Sequence, residues 1–288
     1  MKRLTASLCS LFLVGSAFCT PSASAKWFIS KNLYTLANEK LLEGHTSESF
    51  DTIIQAWQQQ PDAIHQANLN NILDLAITDD CGHSLNKKVL PQWLSQLSVN
   101  REVIQNTNQL MLKLSITGLT RNKIKSISFS RWPDMDIIKG TPLIEEGGYF
   151  NIEARRLEKP IHAGLYRLSI QAEDEKPWNS WIVLAEPALK QQIGWVDSSH
   201  WRIEHNYFQN PSCPTPALTV DLFDLNNSSW TPVWSQRINN KDLPNELPEV
   251  SLPDGRYWLS VGLIKSRWQG DIAIKDIQRI TQPVDFPL

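Results

Sequence analysis

Several things that particular functions require are scarce or missing in this sequence. There are 12 glycines in 288 residues, and none form a phosphate-cradling run, so a nucleotide-binding loop has little material. A Gly-x-Ser-x-Gly elbow, a His-Glu-x-x-His pair and EF-hand spacing are all missing, which removes the commonest hydrolase, metalloprotease and calcium signatures. A cationic excess is missing too: Lys and Arg number 28 against 30 Asp and Glu. Nucleic-acid binding needs a basic stripe, and Arg121-Asn122-Lys123-Ile124-Lys125 reads as a solvated turn entering a strand. Beyond the N-terminus no uncharged run approaches the roughly 20 residues of a membrane helix, so no transmembrane segment is expected. The adjacent acids Glu145-Glu146 and Asp79-Asp80 each lie on one segment and do not define the facing carboxylate pair of a glycosidase. They read as a solvated turn and a frayed helix end. The expectation is a protein that is not an enzyme and carries no cofactor.

Cysteine is also scarce, and where it falls is informative. Lys2 and Arg3 precede an apolar stretch from Leu4 to Phe18, which closes on Ala23-Ser24-Ala25, the small-x-small pattern of a signal-peptidase site. Residues 1–25 are therefore expected to be a cleaved signal peptide delivering a periplasmic protein. Phe18 stands before Cys19 where lipidation needs a small residue, so no lipid anchor is expected. Loss of Lys2 and Arg3 takes the net charge from −2 to −4. Of four cysteines, Cys9 and Cys19 leave with the leader, and Cys81 and Cys213 remain. A lone pair in an oxidising compartment is expected to form one disulfide, stabilising by roughly 4–5 kcal/mol on the chain-entropy model. Metal binding is not expected. His200 and His205 would point to opposite faces of a strand, and in Cys81-Gly82-His83 the thiol is better spent on the disulfide.

Three amphipathic helices are written into residues 30–80. Leu33, Leu36, Ala37 and Leu41 follow Ser30 and stop at Gly44. Phe50, Ile53, Ile54 and Trp57 are entered through Thr46-Ser47-Glu48 and end before Pro61. Asp62 caps the third, with Leu69, Ile72, Leu73 and Ala76. After Leu97 the period changes to two. Leu110/Leu112/Leu114/Ile116, Ile127/Phe129, Phe150/Ile152/Ala154, Tyr166/Leu168/Ile170 and Trp181/Val183 alternate with polar residues. So do Leu218/Val220/Leu222, Tyr257/Leu259/Val261 and Ile272/Ile274. Short alternating strands between Gly, Pro, Asn and Asp describe antiparallel sheets with one wet face.

There is an internal echo. Gly164-Leu165-Tyr166-Arg167-Leu168-Ser169-Ile170 matches Gly255-Arg256-Tyr257-Trp258-Leu259-Ser260-Val261 at four of seven positions, and each is followed by a turn, a tryptophan and another alternating strand. A tyrosine so placed bonds its hydroxyl back across a sandwich corner in immunoglobulin-like domains. The expected fold is thus α+β and multidomain: a helical bundle over 26–98, then two antiparallel immunoglobulin-like β-sandwiches over 99–187 and 188–288, joined near Glu186-Pro187-Ala188, with a single larger sandwich as the alternative.

Tryptophan is in excess, with 12 residues. Trp57 and Trp181 fit an inward register. Trp258 does not, since Tyr257 and Leu259 hold that register, and Trp230 and Trp234 flank or follow the polar Asn226-Asn227-Ser228-Ser229. Trp258, Trp230 and Trp234 are the candidate binding residues, because exposed indoles stack on sugar rings or anchor protein partners.

Leu41-Leu42-Glu43-Gly44, Ile54-Gln55-Ala56-Trp57-Gln58, Leu69-Asn70-Asn71-Ile72-Leu73, Asp80-Cys81-Gly82-His83-Ser84-Leu85, Pro91-Gln92-Trp93-Leu94 and Arg131-Trp132-Pro133 resemble an uncharacterised family of secreted proteins of marine gamma-proteobacteria, a domain of unknown function. The resemblance implies a gene often placed beside an envelope-related two-component sensor system, and hence a periplasmic accessory role. It transfers no catalytic residue. The expected function is a non-enzymatic interaction protein of the cell envelope, with an envelope or sensor protein as partner. The alternative is a carbohydrate or peptidoglycan binder using exposed tryptophans.

Overall fold

The computed structural model describes residues 32–186, 191–204, 210–225 and 231–286. The leader, Trp230, His205 and most of the expected junction at Glu186-Pro187-Ala188 lie outside the described residues. No helix among the described residues is long and apolar enough to cross a membrane.

Three helices come first: α1 (Leu33–Leu42), α2 (Thr46–Gln58) and α3 (Ala63–Ala76). The first is capped by Asn32, whose side chain accepts from the Tyr34 amide, so it begins two residues beyond the expected Ser30. Asp62 caps α3 as expected, accepting from the His65 amide at 3.0 Å. The buried Ser49 hydroxyl donates to the Ala37 carbonyl at 2.7 Å and ties α2 to α1.

The rest is β structure. The strands are β1 (Leu94–Gln105), β2 (Leu110–Thr120), β3 (Ile124–Arg131), β4 (Met135–Gly140), β5 (Leu143–Ile144), β6 (Tyr149–Arg155), β7 (Gly164–Ala172) and β8 (Trp178–Leu184). There follow β9 (Ile193–Trp195), β10 (Trp201–Ile203), β11 (Ala217–Asp224), β12 (Pro232–Ile238), β13 (Gly255–Gln269) and β14 (Ile272–Phe286). They form a four-stranded sheet in the order β4-β3-β7-β8, a small β10-β9 pair, and an eight-stranded sheet in the order β12-β11-β13-β14-β1-β2-β6-β5. Among the described residues the protein is therefore mostly β, with three short helices and several sheets.

Strands from both expected sandwiches run in this one large sheet. They meet where β1 pairs with β14, in parallel, from Ser98 opposite Ala273 to Gln105 opposite Ile280. The β13–β14 hairpin carries 15 residues in each arm, about 50 Å at roughly 3.4 Å per residue. Its length lets it serve two cores. Ile272 and Ile274 join Val99, Leu114, Ile116, Phe129 and Leu168 between the two sheets. Leu259, Val261, Ile280 and Val284 join Val220, Leu222, Ile193 and Trp201 in another core. A third core packs the helices on the far side of the four-stranded sheet, with Phe50, Ile53, Leu69 and Leu73 against Leu165 and Val183. The helices thus share a core with β7 and β8.

The tip of the β13–β14 hairpin locks these parts together. Trp268 and Gly270 donate to the carbonyls of Cys81 (2.8 Å) and Gly82 (3.0 Å), and the His83 ring stacks on Trp268 at 4.5 Å. Gly82 sits at φ +92°, and a Cβ there would fall 2.1 Å from the Trp268 carbonyl oxygen, so only glycine permits this approach. The fully buried Gln269 side chain donates to the Trp181 carbonyl and accepts from the Val183 amide. It stands in for a neighbouring strand along the outer edge of β8, which would otherwise present unpaired backbone. Cys81 and Cys213 are bonded, with Cα atoms 4.9 Å apart, and Asn210 donates to the Ile77 carbonyl beside them.

Both echo tyrosines make the same bond. Tyr166 donates to the His162 carbonyl at 2.8 Å and Tyr257 to the Pro253 carbonyl at 3.0 Å, each four residues upstream. Burial pushes the Tyr166 phenol up to about 12.

Candidate functional site

The eight-stranded sheet has one apolar and one polar face, as period two demands. Val99, Leu114, Ile116, Ile274, Val261 and Leu222 point into the cores. Their neighbours Glu102, Lys113, Arg279, Ser260 and Asp221 point the other way, where the face is hollowed into a trough of about 570 Å³. Five adjacent strands supply its floor: β2, β1, β14, β13 and β11.

Register decides which side chains meet. Glu102 lies opposite Lys113, Arg279 opposite Gly262, and Ser260 opposite Asp221. A line of charge then runs across the strands. Lys113 Nζ is 3.6 Å from Glu153 and 2.7 Å from Glu102. Arg279 Nε donates to Glu102 at 2.6 Å, and its Nη1 donates to Asp221 at 2.9 Å and to the Ser260 hydroxyl at 2.8 Å. Ser235 on β12 donates to the other Asp221 oxygen at 2.5 Å. From β6 to β12 the line touches seven strands of the eight.

Gly262 makes the arrangement possible. A Cβ there would lie 2.7 Å from Thr219 Oγ1 and 3.1 Å from the Arg279 guanidinium carbon. Without a side chain at this position, Arg279 can lie flat across β13 to reach Asp221.

Although it stands on the polar face, Glu102 is only 4% exposed. Burial pushes its carboxyl up, but the Arg279 and Lys113 charges outweigh that and hold it below the usual carboxylate value. Burial works against the Arg279 charge in the same way, and Glu102 and Asp221 raise it further above an already high value. Both groups are therefore fixed in charged form across the neutral range. Such a cluster suits holding shape and presenting charge, and not proton transfer, which wants a group poised near the working pH.

Trp258 lines the same trough, half-buried, directly opposite Phe223 on β11. Ile104, Met111 and Leu112 give it further apolar wall, while Asn106, Gln109 and Thr281 bring amides and a hydroxyl. Asn106 accepts from Thr281, and its amide closes the β1–β2 turn on the Gln109 carbonyl at 2.8 Å.

The other candidates fall elsewhere. Trp234 pairs with Leu222 and packs against the core of the C-terminal strands, so it occupies the face opposite Trp258 and cannot share a ligand with it. Trp230 lies outside the described residues. Cys81 and Cys213 form the expected bridge, and His83 is committed to its stack on Trp268. Asp80 is no frayed end, since its carboxylate accepts from the amides of Gly82 and Ser84 and holds the turn carrying Cys81. Glu145 and Glu146 sit in the β5–β6 turn, where the Glu145 amide donates to the Tyr149 carbonyl. His200 bonds Asp197 at 2.8 Å with Glu246 3.5 Å away, and His205 is outside the described residues.

A family model described as "Protein of unknown function (DUF2861)" matches residues 27–285. The chain belongs to the DUF2861 family. Among curated protein sequences this DUF2861 chain has no match. Among solved structures it is similar to a biofilm-associated protein, BSP domain, at 13% identity and a TM-score of 0.24. That match covers 68% of the DUF2861 chain and 30% of the other chain's length. A structure of the periplasmic chaperone SfaE is similar at 12% identity and a TM-score of 0.14, covering 64% of this chain and 98% of that one. At such TM-scores neither neighbour informs the function of the DUF2861 chain.

Proposed function

We propose that this protein is a non-enzymatic interaction protein of the cell envelope, exported to the periplasm by cleavage of residues 1–25. Its helices and two immunoglobulin-like sandwiches would act as one presenting body for an envelope partner. The resemblance behind the sequence reading points to the ectodomain of a two-component sensor as that partner. The observation that carries the proposal is the charge line of Glu102, Arg279, Asp221 and Lys113. Its groups are joined in mutual ion pairs, a fixed pattern of charge on the sheet face that a partner of complementary charge can read.

The test is in-cell crosslinking of the mature protein, followed by affinity recovery and mass spectrometry. Recovery of one specific envelope or sensor protein supports the proposal. Reproducible turnover of an envelope substrate by the purified protein overturns it.

The second reading is glycan binding. One observation favours it: Trp258 and Phe223 stand side by side at a trough that also holds amide and hydroxyl groups. Quenching of tryptophan emission by glycans or muropeptides, lost in Trp258→Ala, is its expected signature.

A further inference from the structure

We propose that the trough binds a saccharide bearing a carboxylate, with the sugar ring on Trp258 and the carboxylate on Arg156. This deepens the glycan reading of the trough and rests on it.

The location argues for a sugar over a peptide. Extended peptides are commonly captured through backbone bonds at a free strand edge. Here β2, β1, β14, β13 and β11 all have strand neighbours on both sides, so side chains alone must do the reading. The side chains offered are an indole with a neighbouring phenyl ring for a ring face, and Asn106 and Gln109 amides for hydroxyls. At about 570 Å³ the trough falls within the roughly 300–1,000 Å³ of small-molecule sites.

The charge argues for an acidic sugar. Four cations line the trough, Lys113, Arg155, Arg156 and Arg279, against the carboxylates of Glu102 and Asp221. Three of the four are already engaged: Lys113 by Glu102 and Glu153, Arg279 by Glu102 and Asp221, and Arg155 by Glu153. Arg156 is different. It follows the last residue of β6 at φ +58°, which swings it out of the strand run, and its side chain is exposed. Among the described residues it has no carboxylate within ion-pair distance. With Glu153 counted, the three engaged cations are balanced by Glu102, Asp221 and Glu153. The uncompensated charge is that of Arg156, and a guanidinium left without an anion at the rim is complementary to a ligand carboxylate.

The experiment uses the mature protein with its disulfide intact. Tri-galacturonate and its methyl ester present the same rings with and without charge, and their binding is followed by calorimetry and tryptophan emission. The acid is expected to bind at least about tenfold more tightly than the ester, the equivalent of one modest charged contact. Arg156→Gln, a rim substitution that removes no packing, is expected to abolish that preference. Trp258→Ala is expected to lose both ligands at unchanged melting temperature, and Trp258→Phe to keep part of the binding should the alanine variant unfold. Equal binding of acid and ester, or a preference that survives Arg156→Gln, overturns the carboxylate assignment and leaves the trough a glycan site. Binding of neither ligand overturns the saccharide assignment, while the envelope-partner reading stands or falls on its own crosslinking test.

Discussion

A guanidinium laid across the middle of a sheet loses much of its water, and Arg279 recovers the loss through two carboxylates and a hydroxyl. Glu102 is the more enclosed partner, and its acid chemistry follows. Its pKa in the folded protein is depressed below the ordinary 4.5, so the stabilisation it gives is complete above that value. It is lost as pH falls through the depressed one. Glu102→Gln is expected to destabilise by about 3 kcal/mol at neutral pH, because two cations lose a buried partner. It should also flatten the decline of stability below pH 4.5, as read from denaturant unfolding at a series of pH values. Gly262→Ala is expected to cost roughly 1–3 kcal/mol in the same assay, the usual range for overpacking. The reason is local: the new methyl group would press on Thr219 and on the Arg279 guanidinium.

Among the elements, the most consequential is the turn over residues 80–86. It receives the hairpin tip and carries one end of the disulfide. Reduction is expected to raise protease cleavage in the segment 210–217 and around residues 80–86 before the sheets melt. Limited proteolysis with and without reductant, run beside a thermal melt, gives the order of events. The three helices were legible because each has a stripe of apolar residues and a recognisable start. The disulfide was legible because only two cysteines remained. The strand β1 was not. Its centre reads Asn100-Arg101-Glu102, all buried, and no hydrophobic alternation survives that run. Arg101 is satisfied by Asp276 at 2.6 Å and by the carbonyls of Ile161 and Ala185, and Glu102 by Arg279 and Lys113. Apart from Lys113 across the β1–β2 hairpin, these partners lie far away in sequence, so little that is local marks the segment as a strand. For the same reason the trough was only partly visible. Trp258 stood out by its register, whereas Arg279 and Asp221 looked like ordinary residues of a wet face until the sheet order brought them together.

On the scale of the whole molecule, one sheet takes strands from both sides of residue 187. The described residues form one compact unit, and the core between the two sheets contains Ile272 and Ile274 from β14. A fragment ending at residue 187 would lack those side chains and would expose the edge of β1 that β14 covers. Such a fragment is expected to be aggregation-prone or partly folded, with no sharp thermal transition by circular dichroism. Mixing it with a separately made 188–288 fragment should restore the transition if the two halves recombine.

That parallel pair also sets a timetable. Residues 98–105 are made well before residues 273–280, so β1 waits for a partner some 175 positions downstream. A chain threaded across a membrane N-terminus first would reach the far side with its earlier half unable to close. Pairings this distant in sequence are slow to form, and during the wait β1 is an open template for strands of other chains. The newborn protein therefore has its greatest need of a folding helper just before β14 emerges, and less once the hairpin has docked.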